Sequence, residues 1–228
     1  MKKGLVWIVA GILIALLAYF FGGRKVVAPV PDGAMKNIEQ QMPSQFVETS
    51  KDRSDLIKKE QALSQVPLDR AKERVTKKPF GILITPKTSP VQPERFSGFH
   101  AGADFEIFPE ELNADIFVRA ICDGALLSKR VASGYGGMLV QSCRLGGEDV
   151  TVIYGHVALS FVSAKVGDEI IYGKNIALLG ADKSEDTNGE RKHLHLGIHR
   201  GKSINILGYV EDEKSLSDWL DPCDFVCK

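Results

Sequence analysis

Three of the chain's five histidines fall within ten residues, RKHLHLGIHR, 191–200. His193 and His195 are two apart. On a β-strand, residues i and i+2 point to the same face, roughly 6.5–7 Å apart. Two imidazoles can then border one site while Leu194 and Leu196 face a core. His199 lies on the same face but roughly 13 Å beyond His195, and reads as a surface bystander. Taken alone, H-x-H also describes an ordinary solvated strand face.

A second stretch, FHAGADFE, carries His100 and Asp104, four residues apart. A straight strand would hold them too far apart to share a metal, but Gly102 between them permits a bend. Imidazole nitrogen and carboxylate oxygen together suit Zn²⁺. One histidine from HLHL would complete three protein ligands. Three ligands with a position left open is the catalytic pattern, whereas structural zinc closes all four. The plainer reading is a glycine turn capped by Asp104, with His100 exposed. A third stretch, VTVIYGHV, ends an apolar run at His156. That histidine matters only if the fold brings it to the same face.

The segments around these residues read as an all-β domain. From Phe80 onward, short runs such as FGILIT, IFVRAIC, MLVQSC, DVTVIY and NIALLG alternate with Gly, Pro, Asn and Asp. Many short strands between turn signals predict an antiparallel sandwich or barrel. VGDEIIYGKNIALLG reads as two short strands around Tyr172-Gly173-Lys174, and LSDWLDP as a helical turn closing the domain. Four cysteines, Cys122, Cys143, Cys223 and Cys227, form an even set without C-x-x-C spacing. A hairpin around VASGYGG would set Leu127 opposite Met138 and Cys122 opposite Cys143, which allows a cross-strand disulfide. Cys223 and Cys227 enclose a small loop. Disulfides would place the domain outside the cytosol; four buried free thiols are the alternative.

Before Phe80 the texture differs. Residues 24–79 are polar, charged and interrupted by proline, and read as a stalk with two weak helices on either side of Pro67. Wholly helical, they would reach on the order of 80 Å. Residues 4–23 carry no charge, long enough to span a bilayer core of about 30 Å. The run ends in Tyr19, Phe20 and Phe21 rather than at a small-residue cleavage site, which favours an uncleaved transmembrane anchor over a signal peptide. Lysines and arginines are balanced on its two sides, so charge does not fix its orientation. The chain has 228 residues and a formal net charge of +0. No nucleic-acid partner is expected from such a balance.

In order along the chain, Phe80-Gly81, His100-x-x-x-Asp104, Tyr154-Gly155-His156 and His193-Leu194-His195 resemble the lysostaphin-type zinc metalloendopeptidases. CDGALL, GYGGMLV and the paired turns of VGDEIIYGKNIALLG are similar to that family's intervening segments. The resemblance covers about Phe80 to Pro222. It implies one Zn²⁺ per chain on His100, Asp104 and His195, with His156 and His193 catalytic. It implies an all-β sandwich with a groove, spanning 80–222, behind an anchor (1–23) and a stalk (24–79), with 223–228 as a tail. The substrate it implies is a stem or cross-bridge peptide of peptidoglycan, which puts the domain outside the membrane and leaves room for a protein activator.

Two departures bear on specificity. The approach to H-L-H is GADKSEDTNGERK, longer and more charged than the family's small-residue loop, and Leu196 stands where phenylalanine is common. That loop would line the groove, with Arg191 and Lys192 helping to choose the substrate. Two other readings compete. One is a non-catalytic cell-wall binding or activator domain of the same fold. The other is a carrier domain, which needs a lysine at a tight hairpin tip. In related enzymes an N-terminal segment can cover the zinc. Here the stalk offers Asn37 as its one asparagine, and no cysteine.

Overall fold

The computed structural model describes residues 66–228. The expected anchor at 4–23 and most of the expected stalk lie outside the described residues. Among the described residues, no helix is long and apolar enough to cross a membrane.

The alternating runs form thirteen strands among these residues. β1 (Leu83–Ile84), β2 (Gly98–His100), β3 (Gly102–Glu106) and β4 (Phe117–Arg119) come first. The long strands β5 (Gly124–Ala132), β6 (Gly136–Leu145) and β7 (Glu148–Gly155) follow. Then come β8 (Val157–Ala158), β9 (Glu169–Ile170) and β10 (Asn175–Leu179). The last are β11 (His193–Arg200), β12 (Tyr209–Val210) and β13 (Trp219–Leu220). The main sheet runs β13-β11-β7-β6-β5-β9, with β3 also paired to β11. Two three-stranded sheets, β1-β2-β12 and β4-β10-β8, accompany it. The result is the expected mostly-β, antiparallel fold with few helices.

Strand alternation sorts the core onto the two faces of the main sheet. Leu139, Val152, Tyr154, Leu194, Leu196 and Ile198 join Val118, Ala177 and Leu179 of the β4-β10-β8 sheet in the larger apolar cluster. Met138, Val140, Ile153 and Tyr135 take the other face, with Val210 and Trp219. Leu194 and Leu196 are fully buried. Their neighbours His193 and His195 therefore look onto the second face.

Several local expectations are corrected. The β5–β6 hairpin pairs Arg130 with Met138 and Ala132 with Gly136, not Leu127 with Met138. The chain reverses around Gly134, which adopts a positive φ of 84° that a side chain would resist. A bulge between Leu126 and Ser128 then shifts the register again, and Cys122 still reaches Cys143 in a disulfide with Cα atoms 5.8 Å apart. The second disulfide joins Cys223 to Cys227. β9 and β10 do not pair with each other: β9 pairs β5, and β10 pairs β4 and β8. Lys174 therefore stands at no hairpin tip, which removes the basis of the carrier reading. In LSDWLDP the helical turn, Glu213–Asp218, ends before Trp219, which becomes part of β13 and is buried.

The packed unit is also longer than 80–222. Leu68 and Ala71 lie in the main core. Pro67 O accepts from Arg119 N at 3.0 Å, and Lys78 O from Asp104 N at 3.0 Å. Residues 66–79 hold a single short helix, α1 (Ala71–Arg74), because their few apolar side chains fill the domain rather than form a stripe of their own. At the other end, 223–228 contains α2 (Cys223–Val226), and Val226 is buried in the same core.

Candidate metal centre

β3 and β11 pair so that Asp104 sits opposite His195. His195 Nδ1 lies 3.1 Å from Asp104 Oδ1. His100 Nε2 lies 3.1 Å from His195 Nδ1 and 3.3 Å from Asp104 Oδ1. Tetrahedral zinc with bonds of about 2.0–2.1 Å holds its donors about 3.3 Å apart, so the triangle has the right size and chemistry for that ion. All three residues are buried.

The bend that returns His100 over Asp104 falls at Ala101, between β2 and β3. Gly102 has a different reason to be glycine. A Cβ there would lie 2.5 Å from Leu196 O and 2.7 Å from His195 Nε2. Gly155 makes similar room: its Cβ would lie 2.4 Å from a ring carbon of Tyr135.

Outer partners fix the ring orientations, as they do around metal-binding histidines generally. His100 Nδ1 donates to Pro79 O at 3.2 Å, which leaves Nε2 with its lone pair toward the site. Tyr135 Oη lies 3.4 Å from His195 Nε2, leaving Nδ1 to face Asp104. Burial pushes the Tyr135 phenol up, so it stays protonated. Burial also pushes His195 down to about 4, against the pull of Asp104. Burial alone would raise Asp104, but the His193 and His100 rings overcome it and hold the carboxyl well below its usual range. The centre thus offers a neutral His195 imidazole and an ionised Asp104 carboxylate, the protonation states a metal needs.

The other two histidines stand beside the triangle. His193 Nδ1 donates to Arg191 O at 2.8 Å, and its Nε2 lies 3.3 Å from Asp104 Oδ2. The His156 ring is centred 4.3 Å from that of His193. His156 has a φ of 63°, an uncommon backbone state for a residue with a side chain and one that clusters at functional sites. Its Nδ1 is buried with no hydrogen-bond partner in the protein. Burial, then the neighbouring His193, hold it well below the usual imidazole range.

A cavity of about 330 Å³ opens on Asp104, His156, His193 and His195. Phe96, Ile206, Leu207 and Tyr209 give it apolar walls, and Lys78, Glu190 and Arg191 supply charge. Phe96 and Tyr209 stack with ring centres 5.4 Å apart. Arg95 clasps the far rim to the 180–192 loop through Glu190 and Asn188 O.

All five residues expected from the sequence therefore meet at one place. His199 does not join them. It is buried rather than on the surface, 8% exposed, because Trp219 of β13 covers it edge-to-face at 4.9 Å. Lys192 does not line the groove. Its ammonium donates to the carbonyls of Glu111, Leu112 and Ala114, holding the 109–114 turn. Sequence reasoning missed the outer partners Tyr135, Tyr209 and Lys78, whose only signal was the glycine-flanked setting of Tyr135.

His100, Asp104 and His195 form a metal-sized triangle of donors that could hold one ion, with two further histidines on an open groove. Residues 98–206 match the family model of peptidase family M23, so the domain they form is similar to the lysostaphin-type peptidases. Several solved structures are similar to part of the chain. LytU is 24% identical over 67% of this chain and 83% of its own, with a TM-score of 0.44. The cbpa protein of L. salivarius REN is 24% identical over 71% and 93%, with a TM-score of 0.45. A zinc-containing peptidase of Vibrio cholerae is 23% identical over 60% and 36%, with a TM-score of 0.36. No curated protein matches the chain.

Proposed function

We propose that this chain is a membrane-anchored zinc metalloendopeptidase that hydrolyses a stem or cross-bridge peptide bond of bacterial peptidoglycan. The observation that carries the reading is the His100–Asp104–His195 triangle with His193 and His156 beside it on the same groove. Zinc bound there would supply Lewis-acid polarisation of the scissile carbonyl and bring the acidity of water close to neutral pH. The chain's own groups do the rest. With Nδ1 bonded to Arg191 O, His193 turns Nε2 toward Asp104 Oδ2 at the groove and serves as general base. His156 is neutral and has an unpartnered Nδ1, so it can donate to the developing oxyanion or to the leaving amine. Phe96, Leu207 and Tyr209 receive the substrate chain and exclude water around the reacting bond.

The charge-free segment 4–23 would hold the chain in the membrane as a single pass, with the domain on the outer side. Two disulfides support that side, since they persist in oxidising compartments. A protein activator is compatible with this placement. The test is metal content with activity on purified cross-linked sacculi. The reading expects about one zinc per chain and solubilisation that stops on chelation and returns with zinc. Zinc retained with sacculi left intact would favour a non-catalytic wall-binding role instead.

A further inference from the structure

Asp104 has two oxygens with different surroundings. Oδ1 faces His100 and His195, in the triangle. Oδ2 accepts from the Arg191 guanidinium at 2.9 Å and lies 3.3 Å from His193 Nε2. Arg191 is itself held: its Nε donates to Glu106 Oε1 at 3.0 Å and Oε2 at 2.9 Å, and its terminal nitrogen also bonds Glu106. Glu106 stands two residues beyond Asp104 on β3, so both carboxylates project from one face of that strand. Arg191 enters from the charged loop that precedes β11. One planar cation thus bridges two carboxylates across a sheet pairing, a geometry that suits the fork of arginine and not the point charge of lysine.

Resting on the metal-site reading above, we propose that Arg191 is a positioning residue that makes Asp104 a one-oxygen metal ligand by occupying Oδ2, with Glu106 as the anchor that holds the guanidinium in place. Two consequences follow for binding. The carboxylate arrives at the ion already oriented, so less ordering accompanies binding. The second oxygen cannot swing in, so the ion's remaining position stays open for substrate. Within the loop sequence Glu190-Arg191-Lys192, Arg191 thereby serves the metal site, while Glu190 ties to Arg95 and Lys192 to the 109–114 turn.

The experiment compares the full chain, in mild detergent, with Arg191→Met, Arg191→Lys and Glu106→Gln. Zinc affinity is measured by competition with a chromophoric chelator, and the coordination of substituted Co²⁺ by its visible absorption. Arg191→Met should bind zinc about 10–100-fold more weakly, the usual effect of losing an outer partner of a ligand. Its cobalt bands should weaken and shift toward five-coordination as Asp104 offers both oxygens. Arg191→Lys should recover part of the affinity but not the four-coordinate spectrum. Glu106→Gln leaves the guanidinium present but loosely anchored, and should show a smaller loss of affinity in the same direction. It also serves as the deciding variant if Arg191→Met does not fold. Variants that match the parent in affinity and cobalt spectrum would overturn the role of Arg191 and leave the metal centre standing. A parent chain that takes up no zinc would instead overturn the metal-site reading itself.

Discussion

At the scale of residues, the centre depends on side chains that are absent as much as on those present. Gly102 lets β3 approach His195 so closely that an added Cβ would meet Leu196 O and the imidazole. The Gly102→Ala protein should lose roughly 1–3 kcal/mol of stability, the usual range for overpacking. It should also bind zinc more weakly, because His195 is the group that must move. Thermal melts of the metal-free protein and chelator competition separate the two effects. The five candidate residues were legible in the sequence because His193 and His195 share one face of a strand and all five follow a known motif order. Their supports were not. Lone tyrosines, an arginine in a charged loop and a lysine before Pro79 carry no periodic signal, and only the fold brings them to the site.

At the scale of elements, the segment before the first strand is part of the structure that positions the centre. Lys78 O accepts from the Asp104 backbone, and Pro79 O orients His100. Leu68 is fully buried in the main core. Leu68→Ala should therefore destabilise the domain by about 2–5 kcal/mol, measured by urea unfolding, and a chain beginning at Phe80 should melt lower still. Neither effect would follow if 66–79 were a stalk. The sequence concealed this because Leu68, Ala71 and Val75 are too few to mark a helix face, while polar residues surround them. Strand pairing was partly concealed for a related reason. Alternation shows which residues face inward, but it does not show which strands are neighbours, so β9 and β10 read as a hairpin although they join different sheets.

At the scale of the whole molecule, a buried ion pair and a hydrogen bond from Lys78 tie the early segment to the groove. Lys78 donates to Glu94 and, at 3.0 Å, to Tyr209 Oη. Burial would raise the Glu94 carboxyl, but Lys78, the Phe96 N–H and Ser89 reverse this and leave it lowered. A carboxylate whose folded pKa is depressed stabilises the fold above its unfolded pKa, about 4.3. That contribution is lost as pH falls through the folded value. The melting temperature should accordingly fall below about pH 4.3, and Glu94→Gln should flatten that part of the acid limb while lowering stability near neutrality. An acid limb unchanged by Glu94→Gln would mean that Glu94 keeps an ordinary pKa.

The central claim is that this centre cuts peptide bonds. It is tested most directly by incubating the zinc-loaded full chain with defined cross-linked muropeptides and weighing the products by mass spectrometry beside His193→Ala. The account predicts fragments whose summed mass exceeds that of the substrate by one water per bond cut, arising from one class of peptide bond and abolished by chelation. In His193→Ala the rate should fall about 10²–10⁴-fold, as for the loss of a general base, with zinc still bound. Unchanged muropeptides at full zinc occupancy, or an equal rate in the His193→Ala protein, would contradict it.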